Sequence, residues 1–468
     1  MTLLPISIPR AEDIQQLYQE PLNFLATVRS KLGDMVVLRD GGPIFSRAEN
    51  CVGALALFGA GNHRVVLSDI EAFGLPVSAA EHLALPATLI NLNRGLHSMR
   101  GEQHANQQRL LLSVLSERSI EAQHHSVVAA LQGFSIEAGQ TIPLLASMRQ
   151  LALHLSTQLL FGSAYDERDS LASLLHLYFQ LRREETSQLS SVNESARAEL
   201  ISLGSAADDA LRRYIEWAGT PAANSSDGLL TTLCKTAGHS MSADELVAHC
   251  NVIFMSCNEP IAVSLTWILL VLSQLPQLRR DLRDELNQRG VSDLVPAQFS
   301  QLYLLQAIIN ETLRLLTPNA LMSRVTTKPV SLNGILLPAR AELVLCPFLA
   351  HREAKRFPQP DQFRPERWHD LKPSPFEYFP FGAGGHGCVG QRLAMYILKA
   401  TLVWLIPRFD LVLAGDQEVD WRIHIMLMPS AEVEVRVDEC DKTTSEPGKL
   451  LGPVAELVRF GELDHTIS

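Results

Sequence analysis

The stretch FPFGAGGHGCVGQRLAM, residues 379–395, constrains the fold more than any other part of the chain. Glycines at 382, 384, 385, 387 and 390 crowd around one cysteine, Cys388, between a proline turn and an apolar run with helical spacing. Glycine at that density costs folding entropy, so the backbone there must need unusual freedom or close approach. Residues 389–404 read as a helix. The Cys388 sulfur then sits at a helix N-terminus, where partial positive charge and free N–H groups favour the thiolate. Phe381 can pack beneath a flat group, Gly382 and Gly390 let it lie close, and His386 can donate to its anionic edge. A thiolate bound to an iron macrocycle fits this set, and a glycine-rich turn around a buried structural cysteine is the alternative. A phosphate cradle is a poor match because no GK[ST] follows. A cysteine hydrolase is a poor match because no histidine and acid are recognisably placed.

The chain has 468 residues, 46% hydrophobic and 19% charged, enough for a sizeable core. Its net charge of -11 argues against a nucleic-acid partner. The N-terminal MTLLPISIPRAEDIQQ lacks the basic start and apolar stretch of a signal peptide. Near-apolar runs such as 261–272 fall short of the ~18–20 residues of a membrane span. The expectation is a soluble, cytoplasmic monomer without a membrane span. Seven cysteines are scattered without a CxxC pair, which argues against a disulfide framework or a structural zinc site.

Apolar spacing predicts helices over 102–116, 143–161, 168–184, 195–217, 243–274, 276–288 and 300–316. Strand-like pieces occur at 34–38, 62–67, 323–332, 342–346 and 431–437. The fold class expected is mainly α with small β-sheets (α+β). One domain over 1–437 is expected, followed by a C-terminal tail, 438–468, as a flexible segment or a short helix. Ser242 to Glu245 fits a capping box at the start of the longest apolar run, and Pro260 interrupts that run.

The cysteine loop FGAGGHGCVG resembles the haem-binding loop of the cytochrome P450 family, F-G-x-G-x-[RH]-x-C-x-G, at every fixed position. ETLR, Glu311 to Arg314, resembles the family's E-x-x-R motif, and FRPERW, 363–368, its later F-x-P-x-R-[FW] element. The similarity spans roughly residues 15–437. It implies the cytochrome P450 fold, with a long central helix over the haem and the cysteine loop beneath it. It implies haem b (iron protoporphyrin IX) with Cys388 as the metal ligand, and Arg367 completing a charge network with Glu311 and Arg314. By position, His104, Arg324 and His386 would hold the haem carboxylates. The family's usual arginine four residues after His104 is Gln108 here, and Arg109, which follows, is the further candidate implied for binding the haem carboxylates.

The family's [AG]-G-x-[DE]-T stretch reads Ser256-Cys257-Asn258-Glu259-Pro260 here, with proline in place of threonine. Proline has neither a hydroxyl nor an N–H, so it can hold a helix groove open without relaying protons. The resemblance implies a monooxygenase that inserts one oxygen atom from O2 into an apolar or amphipathic organic substrate, by hydroxylation or epoxidation in secondary metabolism. Ser256, Glu259 and Pro260 are the candidate catalytic positions, with protons coming through Glu259, water or a substrate hydroxyl. A peroxide-driven reaction, a rearrangement or a dehydration is the alternative, as is a non-catalytic haem-thiolate sensor or binding protein. Phe73, Leu83, Leu85 and Leu89 suggest an apolar substrate site. About 80 residues follow Cys388, too few for a fused reductase, so electrons from NAD(P)H are expected through a separate ferredoxin- or flavodoxin-type donor. Arg109, Arg392 and Lys399 are candidates for its docking face.

Overall fold

The computed structural model of the chain describes residues 4–46, 48, 50–76, 85–187, 194–238, 240–290, 296–423, 426–440 and 447–460. The helices that build the site are α1 (Gly101–Val114), α2 (Leu144–Phe161), α3 (Arg168–Ser187), α4 (Glu194–Ala218), α5 (Ala243–Ser256), α6 (Glu259–Gln274), α7 (Tyr303–Leu315) and α8 (Gln391–Leu405). Helix α6 runs through the core and packs on α2, α7, α8 and the strand Phe409–Leu413. Its residues from Ile261 to Ser273 are all buried. Trp267 is fully buried, and its Nε1–H donates to the Leu427 carbonyl at 3.0 Å. Truncating it would cost about 3–5 kcal/mol.

The long apolar run is therefore two helices. The Ser242 box forms in full: its Oγ accepts the Glu245 N–H at 3.2 Å, and the Glu245 carboxylate accepts the Ser242 N–H at 2.8 Å. Helix α5 ends at Ser256, and α6 begins at Glu259 with Pro260 in its first turn. Proline is tolerated there because first-turn N–H groups have no intrahelical acceptor. Taken together, 243–274 is long and apolar enough to cross a membrane, and 83% of its apolar window is buried inside the protein.

Five strands form one sheet in the order Met35–Asp40, Gly53–Leu57, Ala341–Leu345, Met322–Thr326 and Phe73–Gly74. The Gly53–Leu57 strand, GALAL, is buried throughout and had no alternation to betray it. The strand expected over 62–67 is part of a helix, Ala60–Ser68. Its buried positions are Asn62, His63, Val66 and Leu67, a helical spacing, and Asn62 Nδ2 donates to the Phe58 carbonyl at 2.8 Å.

The expected boundary at 437 falls inside the strand Glu434–Glu439. Residues 447–460 are tied to the body, whereas 441–446 and 461–468 lie outside the described residues. Leu450–Leu451 pairs in parallel with Gln417–Glu418, and a short helix, Pro453–Leu457, follows. Val454 and Val458 are buried, and Arg352 donates to the Leu457 carbonyl at 2.9 Å. Burying Val454 and Val458 contributes about 1.5–3 kcal/mol each to that docking.

Candidate active site

The cysteine loop is a tight double turn. The Gly382 N–H donates to the Phe379 carbonyl, Gly387 to Gly384, and Cys388 to Phe381, at 2.9, 3.0 and 2.9 Å. Gly382 and Gly384 have φ of 70° and 68°, the left-handed region. A Cβ on Gly384 would also stand 1.8 Å from the Leu67 carbonyl oxygen. That close approach to the helix Ala60–Ser68 explains the glycine. Gly390 is the N-cap of α8, and Phe381 is half-buried against the core.

The Cys388 side chain is accessible, yet burial raises its pKa. The two observations agree if the sulfur faces an enclosed cleft. The expected depression by the helix terminus is outweighed by desolvation, with the Gly390 N–H pulling the other way.

A basic group gathers beside the loop. The rings of His104 and His386 meet edge to face at 4.8 Å. Burial, then the charges of Arg324, His104, His97 and Arg100, push the His386 pKa down to about 3. Arg324 is buried and pushed down to about 10 by desolvation, and its Nη1 donates to the Ser323 carbonyl at 2.8 Å. The buried Nε2 of His104 has no hydrogen-bond partner among the described residues. Such a cluster is costly unless it answers an anion. The two carboxylates of a haem fit it, and the nearby thiol fits the iron. His97 and Arg100 carry no motif and were missed by sequence reasoning. Arg109 does not belong to the group: it is exposed and its Nη2 donates to Asn106 Oδ1 at 2.8 Å. Gln108 faces the site instead, donating to the Gly385 carbonyl at 2.8 Å. Helix geometry decides this, since one residue of offset turns a side chain by about 100°.

Behind the loop, the Glu311 carboxylate is fully buried and accepts five donors. Arg314 reaches it twice, at 2.9 and 2.8 Å. The Arg364 N–H, Arg367 Nε and Trp368 Nε1 reach it at 2.9, 3.0 and 2.9 Å. Arg314 also donates to the carbonyls of His351, Pro360 and Gln362. The His351 Nε2 in turn accepts the Phe379 N–H at 2.9 Å, so the network braces the start of the cysteine loop. Lys399 donates to the Phe299 carbonyl at 3.1 Å and its pKa is lowered by burial, which removes it from the expected docking face.

A cavity of about 630 Å³ lies next to this basic group. Ser256, Glu259 and Pro260 all line it, as does His386. Glu259 is buried and clamped: Arg149 donates to its two oxygens at 3.0 and 2.5 Å, and Arg183 to Oε1 at 2.8 Å. The expected apolar lining is not where the sequence put it. Phe73, Leu85 and Leu89 are buried in the core, and Leu83 lies outside the described residues. The cavity is walled by Arg94, Arg182 and Arg183 together with Phe179, Met255 and Met428.

Residues 84–436 match the sequence model of the family described as Cytochrome P450. The chain is 35% identical over 184 residues to the mitochondrial sterol 26-hydroxylase of Rattus norvegicus, covering 37% of this chain and 34% of that protein. It is 27% identical over 220 residues to cytochrome P450 3A13 of Mus musculus, covering 45% and 44%. It is 25% identical over 361 residues to the cytokinin hydroxylase of Arabidopsis thaliana, covering 72% and 70%. In the first two of these comparisons the chain spans a third to under a half of the relative's length. With its cysteine loop, buried Glu311–Arg314 pair and mainly helical architecture, the chain belongs to the cytochrome P450 family.

Proposed function

We propose that the chain is a haem-thiolate monooxygenase, inserting one oxygen atom from O2 into an organic substrate. Electrons come from NAD(P)H through a separate ferredoxin- or flavodoxin-type protein. The observation that carries the reading is the Cys388 thiol two residues from His386, whose ring meets that of His104 at 4.8 Å and feels the charges of Arg324, His97 and Arg100, a basic group that suits a dicarboxylate. Cys388 would ligate the iron, and His104, Arg324 and His386, with His97 and Arg100, would hold the carboxylates. Bound haem b would supply the activation of dioxygen.

The chain's own residues shape what surrounds that chemistry. Pro260 lacks the N–H that would continue one ladder through this point, and the chain divides here into α5, ending at Ser256, and α6, starting at Glu259. Glu259, expected as a proton carrier, has both oxygens engaged by guanidinium groups. In this reading it ties α2, α3 and α6 together. Proton supply then falls to the Ser256 hydroxyl, which lines the cavity, to water in the groove, or to a substrate hydroxyl. Purified holoprotein given NAD(P)H, a surrogate donor system and isotopically labelled dioxygen should yield labelled product in proportion to reductant consumed.

A second reading keeps the haem and drops dioxygen: a peroxide-driven reaction, a rearrangement or a dehydration. The lack of a hydroxyl at Pro260, together with the clamped Glu259, favours it. Turnover with peroxide, or with no oxidant, and none with reductant would establish it in place of the first.

A further inference from the structure

The family match ends at residue 436, yet the chain returns to the body over 447–460 and lies against two supports of the site. The first half of this stretch grips the end of α6. Gln274 Nε2 donates to the Gly448 carbonyl at 3.0 Å, and Gln274 Oε1 accepts the Leu450 N–H at 2.9 Å. Only glycine fits at 448, because a Cβ would stand 1.8 Å from the Gly415 carbonyl oxygen. The second half reaches the frame behind the cysteine loop. The Arg459 N–H donates to the Asp361 carbonyl, and the Arg459 carbonyl accepts the Phe363 N–H, both at 2.9 Å. Arg459 is otherwise exposed, so its backbone makes these bonds while its side chain faces water. Val454 and Val458 are buried and seat the stretch between the two grips.

What Arg459 pairs with is the segment that serves the buried Glu311–Arg314 pair. Gln362 and Arg459 form a parallel β-bridge. Across such a bridge, alternate backbone groups go to the partner and the intervening ones to the opposite side. On that opposite side, Arg314 donates to the Pro360 and Gln362 carbonyls at 2.6 and 3.1 Å, and the Arg364 N–H donates to Glu311 at 2.9 Å. Arg352 makes a second link. Its side chain is buried, and its Nη2 bridges the Leu457 carbonyl at 2.9 Å and the Leu315 carbonyl, at the end of α7, at 2.8 Å. The guanidinium carbon stands 3.6 Å from the centre of the Phe348 ring, and Nε lies 3.3 Å from Asp361. The neighbouring His351 gives its carbonyl to Arg314 and its Nε2 to the Phe379 N–H, both at 2.9 Å. The Phe379 carbonyl in turn accepts the Gly382 N–H. A contiguous set of bonds thus joins 457–459 to the turns that precede Cys388.

We propose that residues 447–460 are a strap that positions the Glu311–Arg314 network and, through it, the loop presenting Cys388, so that haem is retained and its sulfur ligand kept in place. Arg352 and the Arg459 backbone are positioning groups that act through Arg314 and His351. The effect on haem rests on the haem-thiolate reading above, whereas the effect on the protein frame stands without it.

The test uses the haem-loaded full chain in two variants. Arg459→Pro removes the N–H given to Asp361, and Val454→Asp with Val458→Asp puts two carboxylates where the strap is buried. Arg459→Ala keeps the N–H and is the control. Hydrogen exchange read by mass spectrometry follows the frame, transfer of haem to excess apomyoglobin follows retention, and the reduced, CO-treated spectrum follows the sulfur bond. Exchange over 360–364 and 379–388 should quicken about three- to tenfold, the loss of roughly one net hydrogen bond, while 101–114 and 144–161 keep their rates. Haem transfer should quicken by a similar factor, and part of the red-shifted band should be lost. Arg459→Ala should stay within about twofold of the native chain, as a surface substitution does. Native exchange over the two segments in Arg459→Pro overturns the proposal, and the double variant decides in the same way if Arg459→Pro does not fold. A uniform rise in exchange along the whole chain also overturns it, as does quickened exchange with haem held as in the native protein. If the native chain carries no haem, the haem-thiolate reading fails, and exchange over 360–364 still decides whether the strap holds the frame.

Discussion

The loop that carries Cys388 and the helix start that carries Pro260 meet at one cavity, through His386 and Pro260, and are held in different ways. The first is braced by a dense frame: three turns in the loop, a glycine where a Cβ would collide, and a buried carboxylate saturated by five donors, three of them 53, 56 and 57 residues away in sequence. The second is held by two ion pairs to one carboxylate. Arg149 and Arg183 reach Glu259 across 110 and 76 residues. The loop keeps every family position, while the other wall has proline where the family motif has threonine. The comparison teaches that the cofactor side is fixed by the ligand it must present, whereas the substrate side is free to be rebuilt.

The sharpest way to break the comparison is Glu311→Ala. It strands Arg314, which is fully buried, beside Arg367. Leaving a buried charge unpaired costs about 3–5 kcal/mol. Thermal unfolding should drop steeply and haem should be lost on gel filtration, although the substrate wall is untouched. On the other wall, Glu259→Gln should cost less, about 1.5–3 kcal/mol for weakened hydrogen bonds to charged groups. Haem content should hold. A loss of turnover above about a hundredfold at normal haem content would restore Glu259 as a proton carrier.

Acid probes two buried histidines of the frame, one behind the cysteine loop and one in α5. His351 is buried and held far below its ordinary pKa, and His249 in α5 is pushed down to about 4, in each case chiefly by burial. Unfolding frees them to bind a proton near pH 6.5, so below that pH the unfolded state binds more protons. Stability is therefore full above about pH 6.5 and falls on acidification, by up to about 1.4 kcal/mol per pH unit for each histidine. Denaturant melts from pH 7.5 down to pH 5 should show this slope, and His351→Gln should flatten it. The smallest expected effect is Pro260→Thr. A first-turn proline is exchanged at a cost of under about 1 kcal/mol. Product formed per NAD(P)H should rise about two- to fivefold, far short of the ~100-fold of an optimised proton donor.

Much of this was legible because it is local. The capping box at Ser242, the interruption at Pro260 and the glycines around Cys388 each act within a few residues. The errors have the opposite character. Arg109 and Gln108 differ by one helical step, and only the neighbouring Gly385 carbonyl decides which one serves the site. Val65 and its neighbours suggested a strand until buried Asn62 and His63 fixed a helical face. Leu85 and Leu89 looked like cavity lining and are core, because apolar residues suit both. His97 and Arg100 carry no signal in the chain, since their meaning comes from what the fold sets opposite them.

The central claim is that Cys388 holds a haem iron through its sulfur. The direct measurement is the absorbance spectrum of the purified protein, reduced and treated with carbon monoxide, alongside Cys388→Ala. The native protein should carry haem and show the red-shifted band of a thiolate-ligated complex, and the variant should lose that band. A well-folded native protein without pigment, or a variant that keeps the band, would contradict the account.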